Sequence, residues 1–550
     1  MTPGHELLFL ALGGSGEIGM NVNLYGCDGK WLMVDLGMTF ADPYYPGIDL
    51  VFADLEFIEE RVRDLVGVVL THAHEDHIGA VPYFAAELGV PLYATPFTAK
   101  LVAEKLAEAG LTDEVELVVV DHLERFDLGP FGVRYVPLAH SIAEGNALLI
   151  DTPYGRVFHT GDWKLDDAPQ IGTPATEAEL TAIGDAGVLA LVCDSTNVFN
   201  PKASGSEGAV RDGLLATIGA LAGRRVVVTT FASNVARLQT LGAVAKATNR
   251  RLCVAGRSLD RIIAVAKSCG YLKDFPETVS PDAAMDLPRG EVLVLATGGQ
   301  GEPRAALARI AAEQHPVRLE PGDAVVFSSR QIPGNELAIG RIQNALVARG
   351  VTLVTDRQSL IHVSGHPGRP ELVALYQWLR PEVLVPVHGE VRHMAEQAML
   401  GAAQGIPETV FQVNGDLVRL APGRPRKLSA ERAGRLVLDG EIIAPADGEA
   451  MAARRKLGAN GLVTVALAVS REGRLVSTVE IATIGVPLED DLAAFVEDAQ
   501  IDVAEAVKTL KGDRKRDRLA VAEAVRLAAR RAGQRWSGKR CVVQVLLREN

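Results

Sequence analysis

The stretch Thr71-His72-Ala73-His74-Glu75-Asp76-His77 follows directly on the apolar run Val66-Gly67-Val68-Val69-Leu70. Seven residues therefore carry three imidazoles and two carboxylates at the end of a segment that reads as a buried strand. Apolar residues behind and nitrogen and oxygen donors in front are what a rigid divalent-cation site requires. Side chains alternate along an extended chain, so His72 and His74 share one side of it. Asp76 and His77 come where the chain turns into the periodic stretch Ile78 to Leu88, which brings them toward a second position a few ångströms away. The spacing alone thus accommodates two metals. A solvated histidine-rich surface is the ordinary alternative, but it would need several independent imidazoles to converge behind a buried strand by chance.

Further donors recur at the ends of apolar segments: His140 after Tyr135-Leu138, Asp162 in Thr160-Gly161-Asp162-Trp163-Lys164, and His388 after Val383-Val387. Two metals want a bridging carboxylate and three or four donors each, and His72, His74, His140 and Asp162 with Asp76, His77 and His388 supply that number. All are nitrogen or oxygen donors, a set that suits Zn²⁺ first, with Mn²⁺ or Mg²⁺ as the other candidates. The literal G-x-G-x-x-G at Gly14-Ser15-Gly16-Glu17-Ile18-Gly19 is a different matter. Dinucleotide binding requires a helix to start within the glycines, whereas Asn21-Val22-Asn23-Leu24-Tyr25 is strand-like, so a tight hairpin-type loop is expected.

At 550 residues the chain exceeds what one core sustains, and two to four domains are expected. A formal charge of -13 argues against nucleic-acid affinity through bulk electrostatics, so any such contact must be local. The five cysteines, Cys27, Cys193, Cys253, Cys269 and Cys541, are scattered and never spaced as C-x-x-C. That pattern speaks against a disulfide framework or a thiolate zinc site and fits a reducing cytoplasm. No stretch approaches the roughly 18 apolar residues of a membrane span. A cytoplasmic protein without a membrane partner is expected.

From Leu7 to Asp194 short apolar or β-branched runs alternate with Gly, Pro and Asp: Trp31-Leu36, Val66-Thr71, Glu116-Val120, Val133-Leu138, Ala147-Asp151 and Val157-Thr160. Many strands with few helices predict a layered sheet core. Between about 205 and 360 the rhythm becomes strand then helix, with Arg225-Thr230, Leu252-Val254, Val292-Ala296 and Ala324-Ser328 each leading into an amphipathic stretch. That predicts a parallel α/β unit. Residues 370 to 420 return to helix, strand and helix, and Pro422 to Leu428 reads as a linker. The tail predicts strands at Leu462-Val469, Leu475-Ile481 and Cys541-Leu547 with two helices between about 489 and 533. Within it Lys511 to Arg540 holds eleven Lys or Arg against three Asp or Glu. Such a run is as compatible with a solvated helix face as with an RNA or partner surface.

Taken together, these motifs resemble the metallo-β-lactamase superfamily, its β-CASP nucleases, and most closely the ribonuclease J family, over nearly the whole chain. The H-x-H-x-D-H motif is complete at His72, His74, Asp76 and His77, the lone early aspartate matches Asp35, and the later pair matches His140 and Asp162. The β-CASP motif A carboxylate corresponds to Asp194 in Cys193-Asp194-Ser195-Thr196-Asn197, motif B to His366 in His362-Val363-Ser364-Gly365-His366, and motif C to His388. Supporting segments are Phe231-Ala232-Ser233-Asn234, Thr297-Gly298-Gly299-Gln300-Gly301-Glu302-Pro303 and Ser329-Arg330-Gln331-Ile332-Pro333-Gly334-Asn335-Glu336. Two departures stand out: Gly299 where a serine is usual, and Leu438-Asp439-Gly440-Glu441 running on as Ile442-Ile443-Ala444-Pro445.

The resemblance implies an α/β chain with a four-layer αββα metallo-β-lactamase core, an inserted parallel α/β β-CASP domain and a small C-terminal α+β domain. Residues 1–204 and 361–425 would form the first domain, 205–360 the insert, 426–449 a linker and 450–550 the C-terminal domain. It also implies a metal-dependent ribonuclease that degrades RNA 5′ to 3′ from a 5′ monophosphate, with endonucleolytic cleavage as a second mode, in rRNA processing, RNA maturation and mRNA decay. Two cations about 3.5–4 Å apart would turn a shared water into the attacking hydroxide. Asp162 would bridge them, Asp76 would accept a proton, and His366 supported by Asp194 would be the general acid. Phe231, Ala232 and Ser233, with His362, Val363, Ser364, Gly365 and His366, would hold substrate phosphates. An extra hard-cation site is implied at Asp49 and Asp439, and a homodimer or homotetramer with RNA-decay partners as the assembly. The competing readings are a DNA-directed β-CASP nuclease, a small-molecule hydrolase, which leaves Asp194, His366 and the insert unexplained, and a non-catalytic RNA-binding scaffold, which leaves the seven retained ligands unexplained.

Overall fold

The computed structural model describes residues 5–331 and 334–549, so Ile332 and Pro333 of the Ser329–Glu336 segment lie outside the described residues. Two sheets face each other in the first compact unit, which comprises the residues up to Thr39 and Phe52–Gly434. One runs in the order Arg426–Ala430, Asp416–Ala421, Leu7–Gly13, Val22–Cys27, Lys30–Val34, Leu65–Val69, Leu92–Ala94, Leu117–Val119. The other runs Arg125–Leu128, Phe131–Pro137, Asn146–Thr152, Gly155–His159, Ala190–Asp194, Val383–Val387, Glu408–Thr409. Apolar side chains of both, among them Phe9, Tyr25, Val34, Val69, Val133, Leu148, Val192 and Val385, close one buried core. The outward face of the second sheet buries Leu149, Phe158 and Leu191 against Leu180 and Ile183 of the helix Glu177–Asp185 and Leu372, Leu375 and Leu379 of the helix Arg369–Leu379. This is the αββα layering, and strands buried on both faces are why they read as unbroken apolar runs.

After Asp194 the chain leaves for a six-stranded sheet, in the order Thr278–Val279, Arg251–Ala255, Val292–Ala296, Val226–Thr229, Ala324–Phe327, Thr352–Val354, whose pairings are all parallel. It then returns to both earlier sheets. Val383–Val387 pairs in parallel with Ala190–Asp194, and Asp416–Ala421 pairs antiparallel with Leu7–Gly13. The parallel α/β segment is thus an insertion into a two-sheet fold.

Of three local expectations, the first holds and the other two fall differently. The Gly14–Gly19 segment is a loop without a helix, as its β-like continuation requires, and Ser15–Gly16 pairs in parallel with Gly389–Glu390. The residues from Pro422, expected as a linker, instead turn back: Arg426–Ala430 is the edge strand beside Asp416–Ala421. Its exposed Arg426, Lys427 and Leu428 are mostly charged, as suits an uncovered sheet edge. In the second unit, Phe40–Val51 with the residues from Arg435 on, the strand expected at Leu475-Ile481 begins only at Glu480. The Ala468 N–H there donates to the Ser477 hydroxyl at 2.8 Å, so a side chain takes a ladder position. That strand lies antiparallel to Leu462–Val469, which runs parallel to Val542–Glu549. The helices Leu492–Thr509 and Arg518–Ser537 cover the sheet through Phe495, Val503, Val521 and Val525. All five cysteines are free, and among the described residues no helix is long and apolar enough to cross a membrane.

Candidate metal centre

Strands Phe131–Pro137, Gly155–His159, Ala190–Asp194 and Val383–Val387 point the same way, so their C-terminal ends gather along one rim. His140, Asp162, Asp194 and His388 sit at those ends. Asp35 and His72 come from the ends of Lys30–Val34 and Leu65–Val69 in the facing sheet. Potential ligand atoms of His72, His74, His140 and Asp162 lie within 4.8 Å of one another, as do those of Asp76, His77, Asp162 and His388. Asp162 belongs to both groups, and also to a third with Asp194 and His366.

The hydrogen bonds behind the imidazoles fix which nitrogen faces inward. His140 Nδ1 donates to the Gly365 carbonyl at 2.7 Å, and His77 Nδ1 lies 2.7 Å from Asp35 Oδ2. Thr71 Oγ1 donates to Asp35 at 2.9 Å and so accepts from His72 Nδ1 at 3.1 Å. His74 Nε2 reaches Ser233 Oγ of the inserted domain at 3.1 Å. His72 Nε2 and His140 Nε2 are left with lone pairs, each 3.1 Å from His74 Nδ1. Burial pushes the His72 and His140 imidazoles well below their usual range and His74 down to about 4, so all three stay neutral, and one proton on His74 Nδ1 would satisfy only one of its two neighbours. A cation among the three nitrogens would satisfy all of them. In the second group burial alone would lower His77, but the carboxylates of Asp162, Asp35 and Asp76 outweigh it and carry it well above its usual range. The buried Asp162 Oδ1 makes no hydrogen bond, with His77 Nε2 3.3 Å and His388 Nε2 3.1 Å away. Repelling lone pairs on one side and excess carboxylate on the other fit divalent cations, and the protein binds divalent metal.

His366 lies beside this cluster, its Nδ1 2.7 Å from Asp194 Oδ2. Burial would lower it, but Asp194 and Asp162 carry it up to about 9. Ser364 Oγ accepts the His366 N–H at 3.1 Å, and the same loop buttresses His140 through the Gly365 carbonyl. A Cβ at Gly365 would stand 3.0 Å from both His140 Cε1 and Ser141 Oγ, a tight fit in which any larger residue would press on the His140 ring. Val363 is buried, while His362, Ser364, Phe231, Ala232 and Ser233 are half-buried. Phe231 to Ser233 form the turn that Asn234 caps into the helix Val235–Ala247.

Asp49 and Asp439 belong to no donor cluster among the described residues. Asp439 is bound by Arg454 at 2.6 Å, so a guanidinium already neutralises the carboxylate expected to hold an extra cation. Sequence reading missed several supporting groups. Asn21 Nδ2 lies 3.1 Å from His77 Nε2, and Thr71 binds Asp35, His72 and His77. The G-x-G-x-x-G loop carries a structural role as well, because the Gly14 carbonyl accepts the His388 N–H at 2.6 Å. Gly14 has φ +83°, and a Cβ there would meet Asn21 Oδ1 at 2.3 Å.

Comparison with known proteins gives the same picture. Residues 18–168 match the metallo-beta-lactamase superfamily and 223–346 the ribonuclease J beta-CASP domain. Residues 350–411 match the Zn-dependent metallo-hydrolase RNA specificity domain, and 449–550 the ribonuclease J C-terminal domain. Ribonuclease J of Sinorhizobium meliloti is 42% identical over 100% of this chain and 98% of its own length. That of Mycolicibacterium smegmatis is 37% identical over 98% and 96%. A crystal structure of an Enterococcus faecalis protein of unknown function covers 75% of this chain and 100% of its own at a TM-score of 0.55 and 16% identity, a likeness of fold alone. Domain matches in this order, relatives similar along their whole length and a rim of converging nitrogen and oxygen donors establish that the chain belongs to the ribonuclease J family of metal-dependent ribonucleases.

Proposed function

We propose that this ribonuclease is a 5′-to-3′ exoribonuclease that prefers a 5′ monophosphate, cleaves internally as a second mode, and serves rRNA maturation and mRNA decay. The observation that carries the chemical reading is the His366–Asp194 pair, 2.7 Å apart beside the carboxylate that both donor groups share. His72, His74, His140 and Asp162 would hold one cation and Asp76, His77, Asp162 and His388 the other, with Zn²⁺ favoured by the imidazole-rich set and Mn²⁺ or Mg²⁺ as outcomes of the test. When bound, the cations would supply an acidified water, offset the charge of the attacked phosphate and draw the His366 imidazolium down from about 9 toward neutrality.

The chain's own groups do the rest. Asp76, 29% exposed where Asp162 is 3%, accepts a proton from the attacking water. His366, oriented by Asp194, gives its proton to the ribose 3′ oxygen as the P–O bond breaks. Ser364, and the backbone N–H groups of His362 to Gly365 and of Phe231 to Ser233, hold substrate phosphates without reading bases. The start of the helix Val235–Ala247 adds a dipole that favours an anion there. Homodimers or homotetramers complete the reading. One RNA prepared with 5′-monophosphate, 5′-triphosphate and 5′-hydroxyl ends, incubated with Zn²⁺ or Mn²⁺, tests the polarity. Fast mononucleotide release from the monophosphate alone is expected, and release indifferent to the 5′ end would overturn the exonuclease assignment.

A further inference from the structure

Several buried charges outside the metal centre have no part in the chemistry above. Lys164 Nζ lies 3.1 Å from Asp166 Oδ2, and Arg237 Nη2 lies 2.9 Å from Glu207 Oε1. None of these four side chains is more than 4% exposed. The two pairs are joined, since Asp166 Oδ2 accepts the Glu207 N–H at 3.0 Å and Lys164 Nζ donates to the Gly205 carbonyl at 3.0 Å. Arg237 directs its other donors to Ser328 and to the Ile361 carbonyl at 3.1 Å, and Ser328 Oγ donates to that carbonyl at 2.7 Å. Buried Glu371 accepts from the N–H groups of Leu165 at 3.1 Å, Ser204 at 2.8 Å and Gly368 at 2.6 Å.

The loop 361–368, which carries His366, is therefore held at both flanks: by Arg237 at Ile361 and by Glu371 at Gly368. Both holds lead back to residues 164–166, just past Asp162. Buried ion pairs are a weak source of stability, because desolvation offsets their attraction, and apolar side chains would fill the same space. What directional buried charges add is a single register between the segments they join. We propose that Arg237 with Glu207, and Glu371, are positioning residues that lock the His366 loop to the Asp162 loop, so that the imidazole reaches the leaving oxygen.

This inference rests on His366 as general acid, and the test separates the two. In the reaction an O–P bond forms from water, the P–O3′ bond breaks, and O3′ takes the electron pair and a proton from His366. If a sulfur replaces that bridging 3′ oxygen, the thiolate leaves without a proton. Single-turnover cleavage of a 5′-monophosphorylated RNA with either atom at its first linkage should be measured for Arg237→Lys, Glu371→Gln and His366→Ala, with metal content determined on each. Arg237→Lys and Glu371→Gln should retain native metal content and KM within about twofold while kcat on the oxygen linkage falls about 10- to 100-fold, as a misplacement near 1 Å costs. On the sulfur linkage the deficit should shrink to about threefold. An equal deficit on both linkages with His366→Ala rescued overturns the positioning role alone. No rescue in any variant overturns the general-acid reading and this inference with it. Should Arg237→Lys not fold, Glu371→Gln decides by the same comparison, and an undiminished kcat there overturns the proposal.

Discussion

At the scale of single residues, the centre depends on one shared carboxylate and on what stands behind its ligands. Asp162 is common to every donor group around the rim. Loss of an outer partner alone typically costs 10- to 100-fold in metal affinity or activity, so Asp162→Asn should reduce activity by at least about 100-fold and lower the bound metal measured by elemental analysis. Native metal content in that variant would contradict a bridging role. Asp35 is the outer partner to compare: it orients His77 at 2.7 Å and accepts from Thr71 N–H at 2.8 Å and its hydroxyl. Asp35→Asn should weaken metal binding by about 10- to 100-fold and recover activity as metal is raised, read by titration against a competing chelator. Asp35 and His388 both take left-handed backbone, at φ +65° and +50°. Such residues cost on the order of 1–3 kcal/mol each and persist where surroundings over-determine them. Here the Asp35 N–H is tied to the Val69 carbonyl and the His388 N–H to that of Gly14.

At the scale of elements, the donors that the structure brings together were legible because most of them follow a strand whose apolar run announces it, and Asp76 and His77 open the short helix Glu75–Ile78 just beyond one. The clamp was not. Lys164, Glu207, Arg237 and Glu371 are partners across 30 to 206 residues, and a lone charge on an amphipathic stretch reads as a solvated face. The edge strand Arg426–Ala430 was hidden for a related reason, since its basic residues follow directly on Pro422, Gly423 and Pro425 and read with them as a linker until a partner strand is placed beside it. The His362–His366 loop allows a prediction of its own. Burial, with Arg237, Arg330 and Lys164 nearby, pushes the His362 imidazole down to about 3. Its folded pKa is depressed, so its contribution is fully present above the unfolded value of about 6.5 and is lost as pH falls from there toward 3. Between pH 6.5 and 5 that loss is about 1–2 kcal/mol. His362→Gln should remove this share of the acid sensitivity, and denaturant titrations at the two pH values that give identical losses for both proteins would refute it.

At the scale of the whole molecule, metal binding joins segments that the chain holds far apart. The donor groups run from His72 to His388, with the inserted parallel sheet between Asp162 and His388, and they come from both sheets of the sandwich. A cation bound only by the folded state stabilises it by RT ln(1 + [L]/Kd), about 4 kcal/mol at a thousandfold excess over Kd. At an unfolding entropy of about 2 cal/mol/K per residue, a unit of roughly four hundred residues moves its midpoint by about 1 °C per kcal/mol, so removal of metal should lower Tm on the order of 4 °C. Every donor group among the described residues lies in the first compact unit, so the shift belongs to that unit. Scanning calorimetry with and without a chelator measures it, and Asp162→Asn supplies the control. The variant should already melt near the chelated value and respond little to chelator, because without the shared carboxylate neither cation retains its full ligand set. A chelator shift as large in the variant as in the native protein would place the stabilising metal elsewhere and sever the link between this cluster and the fold that builds it.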